Sequence, residues 1–552
     1  MLKVQKISCP LKRIRGGFTS WWKGHARSTA RVRSKDLIPQ KMFVATAMTF
    51  TSRISVKMIL PTKLCLFYAL LYPVKLLTAY AAGPSWETLD KRPLPGWYDE
   101  AKFGIFLHWG LFSVPSFGTE WFWEYWHGWH YKEYESFINK TERSGFTYTE
   151  YASRFLAELY RPKEWADIFA KSGAQYIVLT SKHHEGFCNW NSTDIPTTWN
   201  WNVMDVGPKR DLLGELSVAV KNATSPHTKK HLKFGVYHSL YEWFNPLYLQ
   251  DKRNNFQTQT FVDLKSGAEL YDLVNKYQPE LIWSDGEWET HSAYWKATEF
   301  LEWYATKSPV AETAVWNDRW GNDTLCKHGG FLTCTDRYQP DGYVQKKWED
   351  ALTIDKTSWG LNRNASYSDY FTVKELVDKL IVTISLNGNM LLNVGPAADG
   401  TLHPIFVDRL MGVGDWLAVN GEAVYGTRPW KVCQNETSPD KSVHYVRKSD
   451  PDRLYVHVTQ WPKGNILELD CPTPTVDTKV RMLGLGATFS LQPKLITLRS
   501  KKSQRTSAAR QLMSKGIKPP GAGLAIQLPA LTPDIIPCQH AWVLEITSIG
   551  NL

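Results

Sequence analysis

Between residue 83 and about residue 430, short apolar runs recur, each ending abruptly in polar or aromatic residues, with helical stretches between them. Residues 104–107 lead into His108-Trp109-Gly110, and residues 176–180 lead into Lys182-His183-His184-Glu185. Residues 234–237 precede His238, 281–283 precede Asp285, 314–316 precede Asn317-Asp318-Arg319, and 390–393 form a further run. Runs this short and this apolar read as buried strands. Residues 162–173, 212–223, 268–277 and 374–386 have apolar positions at helical spacing. Strand–helix alternation over this length predicts an α/β fold, a (β/α)8-type barrel over residues 82–430. The active site of such a barrel is built at the C-terminal ends of its strands. A doubly wound sheet alternates in the same way, but no glycine-rich phosphate turn follows the first strand, so a nucleotide site is not expected.

The chain has 552 residues, too many for one core, so at least two domains are expected. After Trp430 the pattern changes: residues 443–446, 454–458 and 466–469 alternate and are separated by turn residues. They predict a C-terminal antiparallel β-sandwich over residues 431–552. A basic, serine-rich stretch near 497–517 has no strand pattern and reads as a disordered insertion in it.

The net charge of +11 would suit a nucleic-acid partner, but its distribution argues against one. Residues 1–57 hold about a dozen Lys and Arg against a single acid, Asp36, and the remainder is close to neutral. Behind this arm lie Lys63, an apolar run over 64–77, and the small-x-small site Ala79-x-Ala81. Residues 58–81 therefore read as a signal peptide. Pro73 and Lys75 interrupt a run already short for a span, so a membrane anchor is the weaker alternative. Met58 then reads as the working start, and residues 1–57 as a basic disordered extension or an artefact of gene prediction. Glycosylation sequons at Asn139, Asn191, Asn222, Asn322, Asn364 and Asn435 agree with the secretory route. So does the even set Cys188, Cys326, Cys334, Cys433, Cys471 and Cys538, of which Cys326 and Cys334 are close enough to bridge a small loop.

Asp285 ends an apolar strand between Trp283 and Trp288, a setting that excludes water and strengthens any charge it holds. Its plainer reading is a cap on the next helix. With His108, His183, His184, Tyr237, His238 and Arg319 at the same end of a barrel, it makes a polar pocket with aromatic walls, suited to a polyhydroxylated ligand. The 26 Trp and 25 Tyr fit this, since indole faces stack on sugar C–H faces, although they also fill cores. His183 and His184, adjacent on a strand, should point to opposite faces. With no H-E-x-x-H and no paired Cys spacing, neither a metal nor a cofactor is expected. No G-x-S-x-G elbow suggests a serine hydrolase.

Several stretches together resemble the α-L-fucosidases of glycoside hydrolase family 29, most closely the animal lysosomal type. They are Phe103 to Gly110, Glu120-Trp121-Phe122, Lys182 to Phe187, Tyr237-His238-Ser239, Trp283 to Gly286, Asn317 to Trp320 and Leu392 to Pro396. The resemblance runs from about Trp86 to the C-terminus and excludes the basic insertion. It implies a barrel followed by a sandwich, hydrolysis of terminal α-L-fucose from glycans with retention, a lysosomal or extracellular location, and a homo-oligomer, a tetramer in the family. Carried over by motif, Asp285 is the nucleophile, and His108, Glu120, Trp121, His183, His184, Tyr237, Trp283 and Arg319 line the fucose subsite. The His and Arg residues would donate hydrogen bonds to sugar hydroxyls and hold Asp285 ionised. For the acid/base, Asp336 is preferred, and Glu349 is second, with a structural role beside an Arg or Lys as its alternative. Ala351 stands where the animal enzymes usually have Cys. A catalytically silent fucose-binding lectin is the alternative function.

Overall fold

Seven strands form one sheet in the order β5-β4-β3-β2-β1-β7-β6, with every pairing parallel. They are β1 (Phe103–Leu107), β2 (Tyr176–Lys182), β3 (Lys233–Ser239), β4 (Leu281–Asp285), β5 (Val315–Trp316), β6 (Trp348–Thr353) and β7 (Gly388–Val394). The computed structural model describes residues 83–436, 442–486, 493–497 and 522–552. The basic arm, the leader and nearly all of the stretch near 497–517 lie outside the described residues.

The eighth position of the expected barrel is not a strand. Gly330 and Phe331 donate their N–H groups to the carbonyl of Trp316 on β5, at 3.0 and 3.2 Å. Leu332 bonds the other way, donating to Lys347 O at 2.9 Å and accepting from Glu349 N at 2.8 Å on β6. Residues 330–332 thus tie the two edge strands together and satisfy backbone groups that an open sheet would leave to water.

Side chains alternate across this sheet. The inner face contributes Phe106, Val178, Tyr237, Trp283, Val315, Ala351 and Leu391, one or more from every strand, and the tying segment adds Phe331 to the same cluster. The other face packs against six helices: α1 (Pro162–Lys171), α2 (Leu212–Asn222), α3 (Gly267–Tyr277), α4 (Ala297–Thr306), α5 (Val373–Ser385) and α6 (Pro404–Asn420). Local signals start several of them. Pro162 opens α1, Asp211 accepts from Gly214 N at the start of α2, and a Thr372–Glu375 capping box opens α5.

Strand β6 escaped the sequence reading because Trp-Glu-Asp-Ala-Leu-Thr places two carboxylates in a fully buried strand. Both are buried, and they point to opposite sides of the sheet. Helices α4 and α6 were also missed. The expected strands and the other four helices stand within a few residues of their predicted bounds.

The C-terminal part has two antiparallel sheets. One, in the order β12-β15-β10-β9-β8, contains β8 (Arg428–Pro429), β9 (Val443–Ser449), β10 (Asp452–Val458), β12 (Pro474–Met482) and β15 (Trp542–Ile549). The other, in the order β11-β14-β13, contains β11 (Ile466–Leu469), β13 (Pro493–Thr497) and β14 (Ala522–Gln527). Tyr445, Val456 and Leu544 from the first share a core with Leu467, Leu524 and Ile526 from the second, which makes the expected sandwich. Its outer face docks on α6, where Trp416 Nε1 donates to Ala541 O at 2.9 Å. Disulfides join Cys326 to Cys334 and Cys433 to Cys471, and Cys188 and Cys538 are free. No helix among the described residues is long and apolar enough to cross a membrane.

Candidate active site

At the C-terminal ends of β1 to β5 a narrow cavity of about 80 Å³ opens. His108, Glu120, Trp121, His183, Tyr237, Trp283, Asp285, Arg319 and Asp336 line it, together with Phe106, Trp288 and Trp359. Asp285 ends β4 with its carboxyl turned inward, and no helix begins there for it to cap. Its Oδ2 accepts from the Tyr237 hydroxyl at 2.7 Å and its Oδ1 from Arg319 Nη1 at 3.1 Å. The other terminal nitrogen, Nη2, donates to Asp336 Oδ1 at 2.7 Å, so one guanidinium bridges two carboxyl groups. Burial pushes the Asp285 carboxyl above the ordinary aspartate range. The Arg319 charge and the Tyr237 hydrogen bond pull it back only in part, and Asp336 adds repulsion.

The Asn317-Asp318-Arg319 turn after β5 builds this arrangement one residue at a time. Asn317 Oδ1 accepts from both the backbone and the hydroxyl of Ser284, locking the turn to the end of β4. Asp318 Oδ1 accepts from Thr333 N and Thr333 Oγ1, and its Oδ2 accepts from Cys326 N and Cys334 N. One buried carboxylate thus secures both ends of the disulfide loop that precedes Asp336. Arg319 then lies over the Trp283 ring, its guanidinium carbon 4.6 Å from the centroid, and donates from Nε to Thr333 Oγ1 at 3.0 Å.

The histidines are placed differently from expectation. β2 ends at Lys182, so His183 and His184 lie beyond the strand, where period-two alternation no longer applies. Their rings are 4.0 Å apart between centroids; His183 lines the cavity, whereas His184, expected to line it too, stands behind that lining beside Asp285. His184 Nε2 is 3.6 Å from Asp285 Oδ2, beyond a hydrogen bond. His238 does not join the pocket. It follows Tyr237 on β3, so its ring turns to the opposite face, 3.4 Å from Glu269 and 2.9 Å from the Ser181 hydroxyl.

Fixed neighbours set the tautomers. Asn393 donates its amide to Trp359 O at 2.6 Å, so its Oδ1 is the acceptor for His108 Nδ1–H at 2.8 Å. Ser239 donates to Tyr241 O at 2.7 Å and therefore accepts from His184 Nδ1–H at 2.7 Å. Burial depresses both rings, His108 to about 3 and His184 well below the ordinary histidine range. Both are neutral, with an Nε2 lone pair free. In this state each Nε2 can accept from a hydroxyl group but cannot donate to one, and neither ring gives Asp285 a positive charge. That leaves Arg319 as the cation at Asp285.

Glu349 does not line the cavity. It is fully buried beneath Trp283, accepting from Trp283 Nε1 at 3.0 Å, Tyr98 Oη at 2.7 Å and Tyr176 Oη at 2.6 Å. Its structural partners are two phenols and an indole, not the Arg or Lys expected. Burial raises its carboxyl to about 7. The sequence reading missed Phe106 and Trp359 as lining residues and had placed Trp288 beside Asp285 without giving it to the sugar subsite. Phe106 was discoverable, since it stands two residues before His108 and shares its face. Trp359 lies in a loop with no such marker.

Of the sequon asparagines, Asn139, Asn222, Asn322 and Asn364 are exposed, and Asn191 and Asn435 are half-buried. Among the described residues no group of three or more His, Cys, Asp and Glu is arranged to hold a metal ion.

The alpha-L-fucosidase family profile matches residues 74–422, and the alpha-L-fucosidase C-terminal domain profile matches residues 434–512. The tissue alpha-L-fucosidase of Homo sapiens is 45% identical over 466 residues, 84% of this chain and 92% of that protein. The alpha-L-fucosidase of Branchiostoma floridae is 46% identical over 468 residues, covering 85% and 96%. The crystal structure of Thermotoga maritima alpha-fucosidase in complex with fucose superposes with a TM-score of 0.65 at 30% identity, covering 85% of this chain and all of that one.

Proposed function

The chain belongs to the α-L-fucosidase family and is a glycoside hydrolase, and from that premise we propose that it is a retaining exo-enzyme that removes terminal α-L-fucose from glycoproteins, glycolipids or oligosaccharides. The observation that carries this reading is the pair of carboxyl groups bridged by Arg319 in a narrow pocket of about 80 Å³. A retaining glycosidase needs its two carboxyl groups only about 5–5.5 Å apart, one to attack and one to protonate the leaving oxygen. A single guanidinium reaching both supports such a spacing.

In this mechanism Asp285, ionised beside Arg319, attacks the anomeric carbon and forms a fucosyl ester. Asp336, on the more open side of the pocket, gives its proton to the departing oxygen. It then takes a proton from the water that hydrolyses the ester, and fucose leaves with its original anomeric configuration. The Nε2 lone pair of His108 accepts from a fucose hydroxyl. Glu120 is anchored through Oε2 by the backbone N–H groups of Trp359 and Gly360, at 3.0 and 3.3 Å, which fixes it beside the same sugar. Phe106, Trp283 and Trp359 supply an apolar wall suited to the C5 methyl of a 6-deoxy sugar.

The test is hydrolysis of an aryl α-L-fucoside followed by proton NMR from the first turnover. Early appearance of α-fucose supports the reading, and early β-fucose rules out double displacement. Asp285→Asn should abolish turnover while fucose binding stays measurable.

The leader over 58–81, the sequons and the two disulfides support a secreted or lysosomal location. N-terminal sequencing of material recovered from the medium should find a terminus near Ala82. A terminus within residues 1–57 refutes the cleavage.

A further inference from the structure

On the helix side of the sheet, two lysines and two glutamates form a buried cluster that the mechanism above does not use. Lys182, the last residue of β2, donates to Glu242 Oε1 at 2.8 Å and to Glu269 Oε2 at 2.5 Å. Lys265 donates to Glu269 Oε1 at 2.8 Å and lies 3.3 Å from Glu242 Oε1. All four side chains are at most 4% exposed. Burial raises the Glu269 carboxyl, but the two ammonium groups outweigh it and hold it well below the ordinary glutamate range. His238 stands 3.4 Å from Glu269, and burial lowers it to about 4, so at neutral pH the cluster holds two charges of each sign.

A fault in the strand pairing puts Lys182 there. Val178 faces the inner core, and Ile177 and Leu179 face the helices, so regular alternation would turn Lys182 inward. Against β3 the register runs from Thr180–Tyr237 to Lys182–His238, which leaves Ser181 as an extra residue. That bulge turns Lys182 toward the helices and lets the next residue, His183, enter the pocket. Glu242 comes from the loop after β3, and Asn245 Nδ2 fixes its Oε2 at 2.7 Å. A Cβ on Gly186, whose φ is +81°, would stand 2.5 Å from that oxygen, so the two loops meet with no room for a side chain. Trp243 donates its backbone N–H to His184 O at 2.8 Å, and its ring lies 5.7 Å from His183 and 5.5 Å from Trp121. The Lys182–Glu242 pair therefore joins the loops after β2 and β3 where they support two walls of the sugar pocket.

Burying four charges adds little stability over an apolar cluster of the same shape, because desolvation offsets their attraction. What such pairs add is direction, since each closes in one arrangement of its loops. We propose that Lys182 and Glu242 are positioning residues for the pocket, holding His183 directly and Trp121 through Trp243. This rests on the fucosidase reading of the pocket.

The experiment compares wild type with Lys182→Met, Glu242→Gln and the double variant. It reads KM and kcat on an aryl α-L-fucoside, the inhibition constant of L-fucose, and the urea midpoint. Each single variant leaves a buried charge unpaired, so its midpoint should fall. The double variant leaves Lys265 and Glu269 balanced, so its midpoint should return toward the wild-type value. Sugar affinity should not return with it. In the double variant KM and the L-fucose constant should rise about tenfold, with kcat changed by less than about threefold. This split is expected because Asp285, Arg319 and Asp336 hold one another from β4 and the segments after β5. Affinity that tracks the midpoint across the three variants overturns the proposal, because the cluster would then serve the fold alone. So does a double variant that fails to fold. A wild-type chain inactive on the aryl fucoside overturns the fucosidase reading instead, a result distinct from the others.

Discussion

The indole N–H of Trp283 donates to the Glu349 carboxyl at 3.0 Å, from inside the barrel and below the floor of the pocket. Trp283 in turn carries Arg319 on its face and lies against Tyr237 at 5.8 Å and 21°. Both of those residues hold Asp285. Glu349 is therefore connected to the chemistry only through the ring it orients, whereas Asp336 stands in the pocket.

These positions separate two roles that one alanine substitution each should resolve. Asp336→Ala should lose about 10²- to 10⁴-fold on fucosides with poor leaving groups, far less with good ones, and should recover with azide while forming a fucosyl azide. Glu349→Ala should lose activity evenly across leaving groups and gain nothing from azide. Azide rescue of the Glu349 variant and not the Asp336 variant would exchange the assignments.

The Tyr237 hydroxyl stabilises the ionised form of Asp285, which must be ionised to attack. Activity is lost as pH falls through the Asp285 pKa, already raised by burial. Tyr237→Phe removes a donor that favours the charge, so the acid limb of kcat/KM should move to higher pH, with kcat/KM at its maximum lower by about 10- to 100-fold. A pH–rate profile measures this, and an acid limb that moves down or stays fixed would disprove the coupling.

Asp318 accepts from three backbone N–H groups and one hydroxyl around the disulfide loop. Asp318→Ala leaves those donors without their acceptor, at about 1–3 kcal/mol for each that stays buried. The urea midpoint should fall, and kcat should fall with it, because the loop leads to Asp336. An unchanged midpoint with full activity would show that the disulfide alone holds the loop.

Glu349 also predicts a pH-dependent stability difference. Its carboxyl titrates at about 7 in the folded chain, against 4.5 for an unperturbed glutamate. Between those values the folded state binds more protons, so this group's contribution to stability is complete below pH 4.5 and is lost as pH rises through 7. Glu349→Gln mimics the protonated form at every pH. Relative to wild type, the Gln variant should gain about 3 kcal/mol between pH 4.5 and pH 8. Comparing the two chains cancels the opposing contribution of neutral buried histidines such as His457. Paired melting curves at the two ends of the range test this, and a constant difference would mean that Glu349 ionises freely in the fold.

The sequence alone determined the strand–helix order, the sandwich that follows it, and the placing of Asp285 at a strand tip. Each depends on a local period or an abrupt end to an apolar run, which neighbouring residues are enough to display. Arg319 and Asp336 were named through motif resemblance, but their meeting in space was not visible, because the segment from Trp320 to Thr335 has no periodic signal. Only the tertiary structure decided that β6 is a strand despite Glu349 and Asp350, since burial of Glu349 depends on Tyr98, Tyr176 and Trp283 far away in sequence. It also decided that residues 330–332 tie the sheet edges, that His183 and His184 face one way while His238 faces another, and that Glu349 lies under the pocket. For His183, His184 and the tying segment the physical reason is the same. Periodicity reports which face of an element a residue occupies, but beyond the element's last hydrogen bond, direction is set by partners that only the folded chain brings near.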